Sequence, residues 1–298
     1  MHINFRNETI ALDHGNGDHC FLSHAHSDHI KGMGRKQEII ASEETIELSG
    51  LAAKSKQIPE LKLLNAGHIL GAKQLQMEGD GESVVYTGDF NVRGSLVTKG
   101  AEIPRCDRLI MESTYADPKY KFPDYFDVCD SLSSWVNTNN DANIIIGAYE
   151  LGKAQEVIKI LNEYSSIAPI VTENIENHCK IYGKYGVDLK RIEVGTAEAE
   201  EVMKDRFVAI LPMRKAKKYF ARRLGDAFNK KTLVANVTGW ALFHKFNVDN
   251  SFPLSDHSDF YDLKYYIEQT GAKKVEFFEG DGSKLISEIR KLPSLQLA

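Results

Sequence analysis

Leu22-Ser23-His24-Ala25-His26-Ser27-Asp28-His29 sets three histidines and one aspartate within six positions, spaced H-x-H-x-D-H. Neutral imidazole and carboxylate are donors that suit Zn²⁺. Two of these residues alternate along an extended segment and two are adjacent, so one short loop can serve two neighbouring metals. A dinuclear centre can generate hydroxide at neutral pH and clamp a phosphodiester or an acyl group.

Outward from this cluster the first ~110 residues read as short strands joined by turns. Thr9-Ile10-Ala11-Leu12 ends at the turn cluster Asp13-His14-Gly15-Asn16-Gly17, and Cys20-Phe21-Leu22 feeds the histidines. Ser42 is placed to cap a short helix from Glu43 to about Leu48, with Glu43 and Glu44 at the positive end of its dipole and Gly50 as its stop. Leu75–Met77 and Ser83–Tyr86 flank Gly79-Asp80-Gly81, a hairpin signal. Arg108–Met111 reads as a buried strand. From about 125 the rhythm changes. Helical patterns at Tyr125–Val136 and Leu151–Tyr164 alternate with apolar strands at Asn143–Gly147, Pro169–Val171 and Phe207–Leu211. That alternation predicts a small parallel α/β unit. The end returns to the first style, with Leu233–Ala235, a helix over Ser258–Thr270, the strand Lys274–Phe278 and a final helix to about Arg290. The chain is therefore expected to be α/β, with one domain from 1–125 and 236–298 and a second inserted over 126–235.

Further metal donors should come from strand ends. His68 in Gly67-His68-Ile69-Leu70-Gly71-Ala72, Asp89 in Thr87-Gly88-Asp89-Phe90 and His257 in Leu254-Ser255-Asp256-His257-Ser258-Asp259 each lie beside an apolar run and a glycine or serine.

The 298 residues suffice for a large core, and 42% hydrophobic composition fits a soluble globular protein without a membrane span. Met1-His2-Ile3-Asn4-Phe5 lacks a secretory pattern. Cys20, Cys106, Cys129 and Cys179 are scattered without a C-x-x-C pair, which points to a reducing, cytoplasmic setting. A net charge of −5 does not advertise nucleic-acid binding, but Arg214 to Lys231 holds eight basic residues and one acidic one, with Tyr219 and Phe220 inside the run.

The succession H-x-H-x-D-H, Gly-His-x-x-Gly-Ala, Thr-Gly-Asp-Phe resembles the metallo-β-lactamase fold, an αββα sandwich. Glu112-Ser113-Thr114-Tyr115 after an apolar strand, Gly152-Lys153-Ala154-Gln155 at a helix head and Ser-Asp-His-Ser-Asp near the end resemble its β-CASP nuclease branch. Gly239-Trp240 paired with Leu254-Ser255-Asp256-His257 is similar to the mRNA 3′-end processing factor-like, DNA-ligase-associated exonucleases. The resemblance covers nearly the whole chain. It implies two Zn²⁺, with Mn²⁺ also compatible: His24, His26 and His68 on one, Asp28, His29 and His257 on the other, and Asp89 bridging. Asp13 would orient the histidine loop. Glu112 would stand near the scissile phosphate or orient a catalytic histidine, and Asp28 would belong to the catalytic set. His244 lies where the RNA-cutting relatives carry a histidine that acts on the leaving oxygen, at a shorter spacing than theirs. Glu279-Gly280-Asp281 departs from the histidine and glycine of many relatives. Lys153 at a helix start, and Arg214, Lys215, Lys217, Lys218, Arg222 and Arg223 along a domain cleft, would contact phosphates. Single-stranded DNA or RNA is the implied substrate, no membrane is involved, and a repair or processing protein is the implied partner.

Two other readings stand beside the nuclease. A small-molecule hydrolase on the same fold would bind no oligonucleotide. A non-catalytic nucleic-acid-binding subunit would hold no metal, although all seven donor positions carry competent residues.

Overall fold

The computed structural model describes residues 1–79, 81–289 and the backbone of 296–297, with Arg35 described by its backbone alone. Asp80 of the expected hairpin turn and Arg290 of the expected final helix lie outside the described residues. The chain divides into two compact units, Met1–Lys121 with Asp256–Ala298, and Phe122–Ser255.

In the first unit two sheets face each other. The smaller is His2–Phe5, Glu8–Leu12 and His19–Phe21. The larger has six strands in the spatial order Gln296–Leu297, Lys274–Gly280, Arg108–Ser113, Glu82–Tyr86, Lys73–Gly79, Leu61–Asn65. Ile3, Phe5, Ile10, Leu12 and Phe21 of the one sheet pack on Leu61, Leu75, Met77, Val84, Tyr86 and Ile110 of the other, all buried. Strand side chains alternate between faces, so each sheet also presents an outward face that a helix covers. Ile46 of the Glu43–Ser49 helix packs with Ala11, Cys20, Leu22 and Ile39. On the larger sheet's side, the Phe260–Thr270 helix buries Phe260, Leu263, Tyr266 and Ile267, and the Tyr266 ring lies 4.6 Å from that of Phe90. The result is the αββα layering expected from the sequence. The Ser42 hydroxyl accepts from Thr45 N–H, and Gly50 closes the helix at φ 66°, a left-handed conformation that glycine adopts without strain.

In the second unit six strands, all parallel, run in the order Ile192–Glu193, Ile170–Val171, Val208–Pro212, Asn143–Ala148, Thr232–Val237, Asn250–Phe252. Asn143–Ala148 is buried along its whole length, as befits a central parallel strand covered on both faces. Asn250–Phe252 adds an edge beside Thr232–Val237. The stretch 236–255, which the sequence reading places with the outer domain, therefore packs in the second unit. Helices Glu173–Lys184, Ala197–Met203 and Lys218–Phe228 belong to this unit too. Among the described residues no helix is long and apolar enough to cross a membrane. All four cysteines are free and buried.

Candidate metal centre

The histidine loop leaves the His19–Phe21 strand at the rim of the sandwich, where three further loops meet it. His24 Nε2, His26 Nδ1, His68 Nε2 and Asp89 converge, their donor atoms within 4.8 Å of one another. His24 Nε2 is 3.0 Å and His68 Nε2 3.2 Å from His26 Nδ1, and Asp89 Oδ2 is 3.5 Å from His24 Nε2 and 3.7 Å from His68 Nε2. A tetrahedral ion with bonds of about 2.05 Å holds its donors about 3.3 Å apart, so this set fits Zn²⁺. Asp89 Oδ1 is buried and has no hydrogen-bond partner among the described residues. A buried, unpartnered carboxylate oxygen is costly unless a ligand satisfies it.

Hydrogen bonds from behind fix which nitrogen of each ring faces inward. The Ser23 hydroxyl donates to Asp13 Oδ2 and lies 3.0 Å from His24 Nδ1, so it is the acceptor for that nitrogen's proton and His24 Nε2 keeps its lone pair. His68 Nδ1 donates to the Asp256 carbonyl at 2.9 Å, with the same effect. Burial, reinforced by the neighbouring imidazoles, pushes the pKa of His24 and His68 well below the usual histidine range, the neutral state that a ligand requires.

Asp13 stands at φ 54° and gathers four groups: Ser23 N–H at 2.7 Å, the Ser23 hydroxyl at 2.8 Å, the Tyr86 hydroxyl at 2.8 Å and His29 Nδ1 at 2.8 Å. Burial works against a charge on His29, but the Asp13 hydrogen bond and charge outweigh it and hold the pKa at about 9. His29 Nε2 faces Asp89 Oδ2 at 3.6 Å. Gly88 lets this loop come close: a side chain there would meet Ser23 Cβ at 2.4 Å, and its φ is 55°.

Glu112, at the end of the Arg108–Ser113 strand, is buried and receives Phe90 N–H at 2.9 Å together with the Thr114 hydroxyl. Its two oxygens lie 2.9 and 2.8 Å from His257 Nδ1. Burial disfavours charge on both partners, yet each stabilises the other's ion. Glu112 is held below the usual carboxylate range and His257 is raised to about 10. Burial and the Glu112 charge push Asp89 up to about 7.

Asp28 does not join these convergent sets. Its side chain is 64% exposed and Oδ2 lies 3.9 Å from His29 Nε2. Glu279 does join one, with His29 and Asp89. In the sequence Glu279 shows only as a departure from the histidine that many relatives carry.

The seven phosphate contacts expected from the sequence, and His244, stand on the second unit. Lys153 is buried rather than offered to phosphate, with Nζ 2.6 Å from Glu156 Oε2. Arg214, Lys215, Lys217, Lys218, Arg222 and Arg223 are all exposed, on and just before the Lys218–Phe228 helix. Of that helix only Ala221 is buried. His244 is exposed beside the Trp240 ring, 5.6 Å between centroids.

No family model matches the chain. A probable DNA ligase of Opitutus terrae is 27% identical over 296 residues, 91% of this chain and 28% of that protein. An RNase J-like protein of Methanocaldococcus jannaschii is 30% identical over 167 residues, 54% of this chain and 39% of that protein. A protein described as lying in the lig 3′ region of Acidianus ambivalens is 35% identical over 136 residues, 43% of this chain and 90% of that protein. The chain thus spans well under half of the first two relatives. A crystal structure of an Enterococcus faecalis protein of unknown function shares the fold, with a TM-score of 0.60 at 14% identity over 94% of this chain and 78% of that one. With the histidine loop, His68, Asp89 and the Glu112 strand end assembled on an αββα frame, and with these relatives, the chain belongs to the β-CASP branch of the metallo-β-lactamase family.

Proposed function

We propose that the chain is a zinc-dependent nuclease that hydrolyses phosphodiester bonds of single-stranded DNA or RNA, in DNA repair or RNA processing. The observation that carries this reading is the convergence of His24, His26, His68 and Asp89 beside the Glu112–His257 pair. The ligase and RNase J-like names of the relatives support a nucleic-acid substrate. His24, His26 and His68 would hold a first ion and His29 a second, with the exposed Asp28 3.9 Å from the His29 ring as a further donor expected from the sequence. Asp89 would serve both, since a carboxylate has two oxygens to offer. When bound, such a pair of ions supplies a nucleophile at neutral pH and offsets charge on the phosphoryl oxygens. Mn²⁺ is an alternative ion for these donors.

The chain's own residues do the rest. Asp13 fixes the His29 ring by its Nδ1 bond. Glu112 fixes His257 by Nδ1, which leaves Nε2 as the nitrogen that carries a proton to the departing oxygen. We accordingly read His257 as a proton carrier, in place of the metal ligand expected from the sequence. His244, exposed on the second unit, is a further candidate for this proton. Arg214, Lys215, Lys217, Lys218, Arg222 and Arg223 contact phosphates, and Tyr219 and Phe220, 73% and 41% exposed, offer faces for bases to stack on. Four buried free thiols favour a cytoplasmic location.

The test is digestion of end-labelled single-stranded DNA and RNA with added Zn²⁺ or Mn²⁺. The wild type is expected to shorten one of them and His26→Ala to leave both intact. Equal cleavage by the two proteins, or none by either, contradicts the proposal.

A further inference from the structure

The two halves of the centre do not offer the same chemistry. The first gathers three imidazoles and one carboxylate, His24, His26, His68 and Asp89. The second gathers one imidazole and two carboxylates, His29, Asp89 and Glu279, again with all donor atoms within 4.8 Å.

Glu279 is brought there by the backbone. The Lys274–Gly280 strand runs parallel to Arg108–Ser113 in regular register from Lys274↔Arg108 to Phe277↔Met111. The register then slips, so that Glu279 pairs with Glu112 and Gly280 with Ser113. A bulge inserts one residue and re-aims the side chains beyond it. Without this slip Phe278 would stand opposite Glu112. Phe278 instead packs in the core, 4.8 Å from the Tyr86 ring. The bulged strand is also pinned. The Ser113 hydroxyl donates to the Glu279 carbonyl. Gly280 adopts φ 79°, and a Cβ there would meet Ser113 O at 2.3 Å. Nothing larger than glycine fits, so Glu279 is held at the rim of the centre. Asp89, which this cluster shares with the three-histidine set, keeps a buried Oδ1 that no described residue satisfies.

We infer that Glu279 is a donor of the second half of the centre, and that this half takes a harder, exchangeable ion such as Mn²⁺ while the three-histidine half retains Zn²⁺. Imidazole suits zinc, whereas carboxylate-rich sets suit Mn²⁺ and Mg²⁺. The working protein is then a mixed-metal species rather than a dizinc one. This inference rests on the metal-dependent reading above and adds to it the identity of one donor and of the second ion.

The experiment strips the protein with chelator, reloads it with Zn²⁺ and Mn²⁺ separately and together, and reads stoichiometry by elemental analysis and Mn²⁺ affinity by electron paramagnetic resonance. The wild type is expected to retain one Zn²⁺ per chain after dialysis and to bind one Mn²⁺ more weakly. Glu279→Gln is expected to weaken Mn²⁺ binding at least tenfold with the Zn²⁺ retained, and Glu279→His to move the second half toward Zn²⁺. Two equally retained Zn²⁺, or Mn²⁺ affinity unchanged in Glu279→Gln, overturns the inference and leaves the metal-dependent nuclease standing. Absence of any bound metal in both the wild type and His26→Ala overturns both.

Discussion

Asp13 ties together the frame behind the candidate metal centre. It takes four hydrogen bonds and so couples the strand end at Ser23, the sheet at Tyr86 and the ring of His29. Partners behind a metal ligand are worth about 10–100-fold in metal affinity. Asp13→Ala is therefore expected to lower affinity by that factor, read by calorimetric metal titration, while Tyr86→Phe, which removes one of the four bonds, is expected to cost less. Lys153 is a second case in which surroundings decide a residue's role. Its buried ammonium faces the buried carboxylate of Glu156. Breaking such a pair costs about 3–5 kcal/mol, whereas replacing both partners by apolar residues of like size is close to neutral. Lys153→Ala should lower urea stability by that amount and Lys153→Met with Glu156→Leu should restore most of it. A loss seen only in nucleic-acid binding, with stability unchanged, would contradict this placement. Lys153 reads from sequence as a phosphate contact because it opens a helix. The counter-signal, Glu156 one turn on, is local but carries no information about burial. His24 and His26 are legible as candidate donors because they stand two positions apart in one short stretch. Glu279 was not, since its direction is set by a bulge and by Ser113 far along the chain.

At the scale of elements, the Lys218–Phe228 helix stands out. Neither acid nor side-chain cap balances its first turn, and four basic residues, Arg214, Lys215, Lys217 and Lys218, gather at the end where the helix dipole is already positive. Part of that charge is met by Glu150, 3.7 Å from Arg214, and by Asp249, 3.1 Å from Lys218. If this face meets a single strand, each phosphate contact removed should flatten the salt dependence by about 0.7 in log–log slope. Replacing Lys215, Arg222 and Arg223 by Gln should thus weaken binding at low salt and reduce the slope by up to about 2, measured by fluorescence anisotropy. An unchanged slope would place the nucleic acid elsewhere. A different element carries the acid response. Asp107, just before the Arg108–Ser113 strand, accepts Ser83 N–H and hydroxyl and faces Lys273 at 2.8 Å. The Lys273 ammonium first, then the Ser83 bonds, hold its pKa at about 2. A carboxyl lowered on folding contributes stability that is present above its ordinary pKa near 4 and lost as pH falls toward 2. The fall in melting temperature between pH 4 and pH 2.5 should therefore be smaller in Asp107→Asn than in the wild type. Strands and the Ser42-capped helix were legible through alternation and capping. The edge strand Asn250–Phe252 was not, because three polar-leaning residues become a strand only through their neighbour Thr232–Val237.

Across the whole molecule each unit has its own core, and the site described lies within the first. That first unit begins and ends the chain, so His257 and Glu279 reach the histidine loop only after the second unit has been inserted between them. The sequence carries this return in its change of rhythm, while the exact boundary depends on which sheet recruits the residues from 236 to 255. On the reading proposed above, this assembly cleaves phosphodiester bonds by means of bound metal, and the initial rate of single-strand cleavage by chelator-stripped protein as metal is restored, plotted against measured metal content per chain, measures this most directly. No cleavage is expected at zero content, with a rate that rises with occupancy and saturates near two ions. Cleavage that persists in the stripped protein, or none at full occupancy on either DNA or RNA, would contradict it.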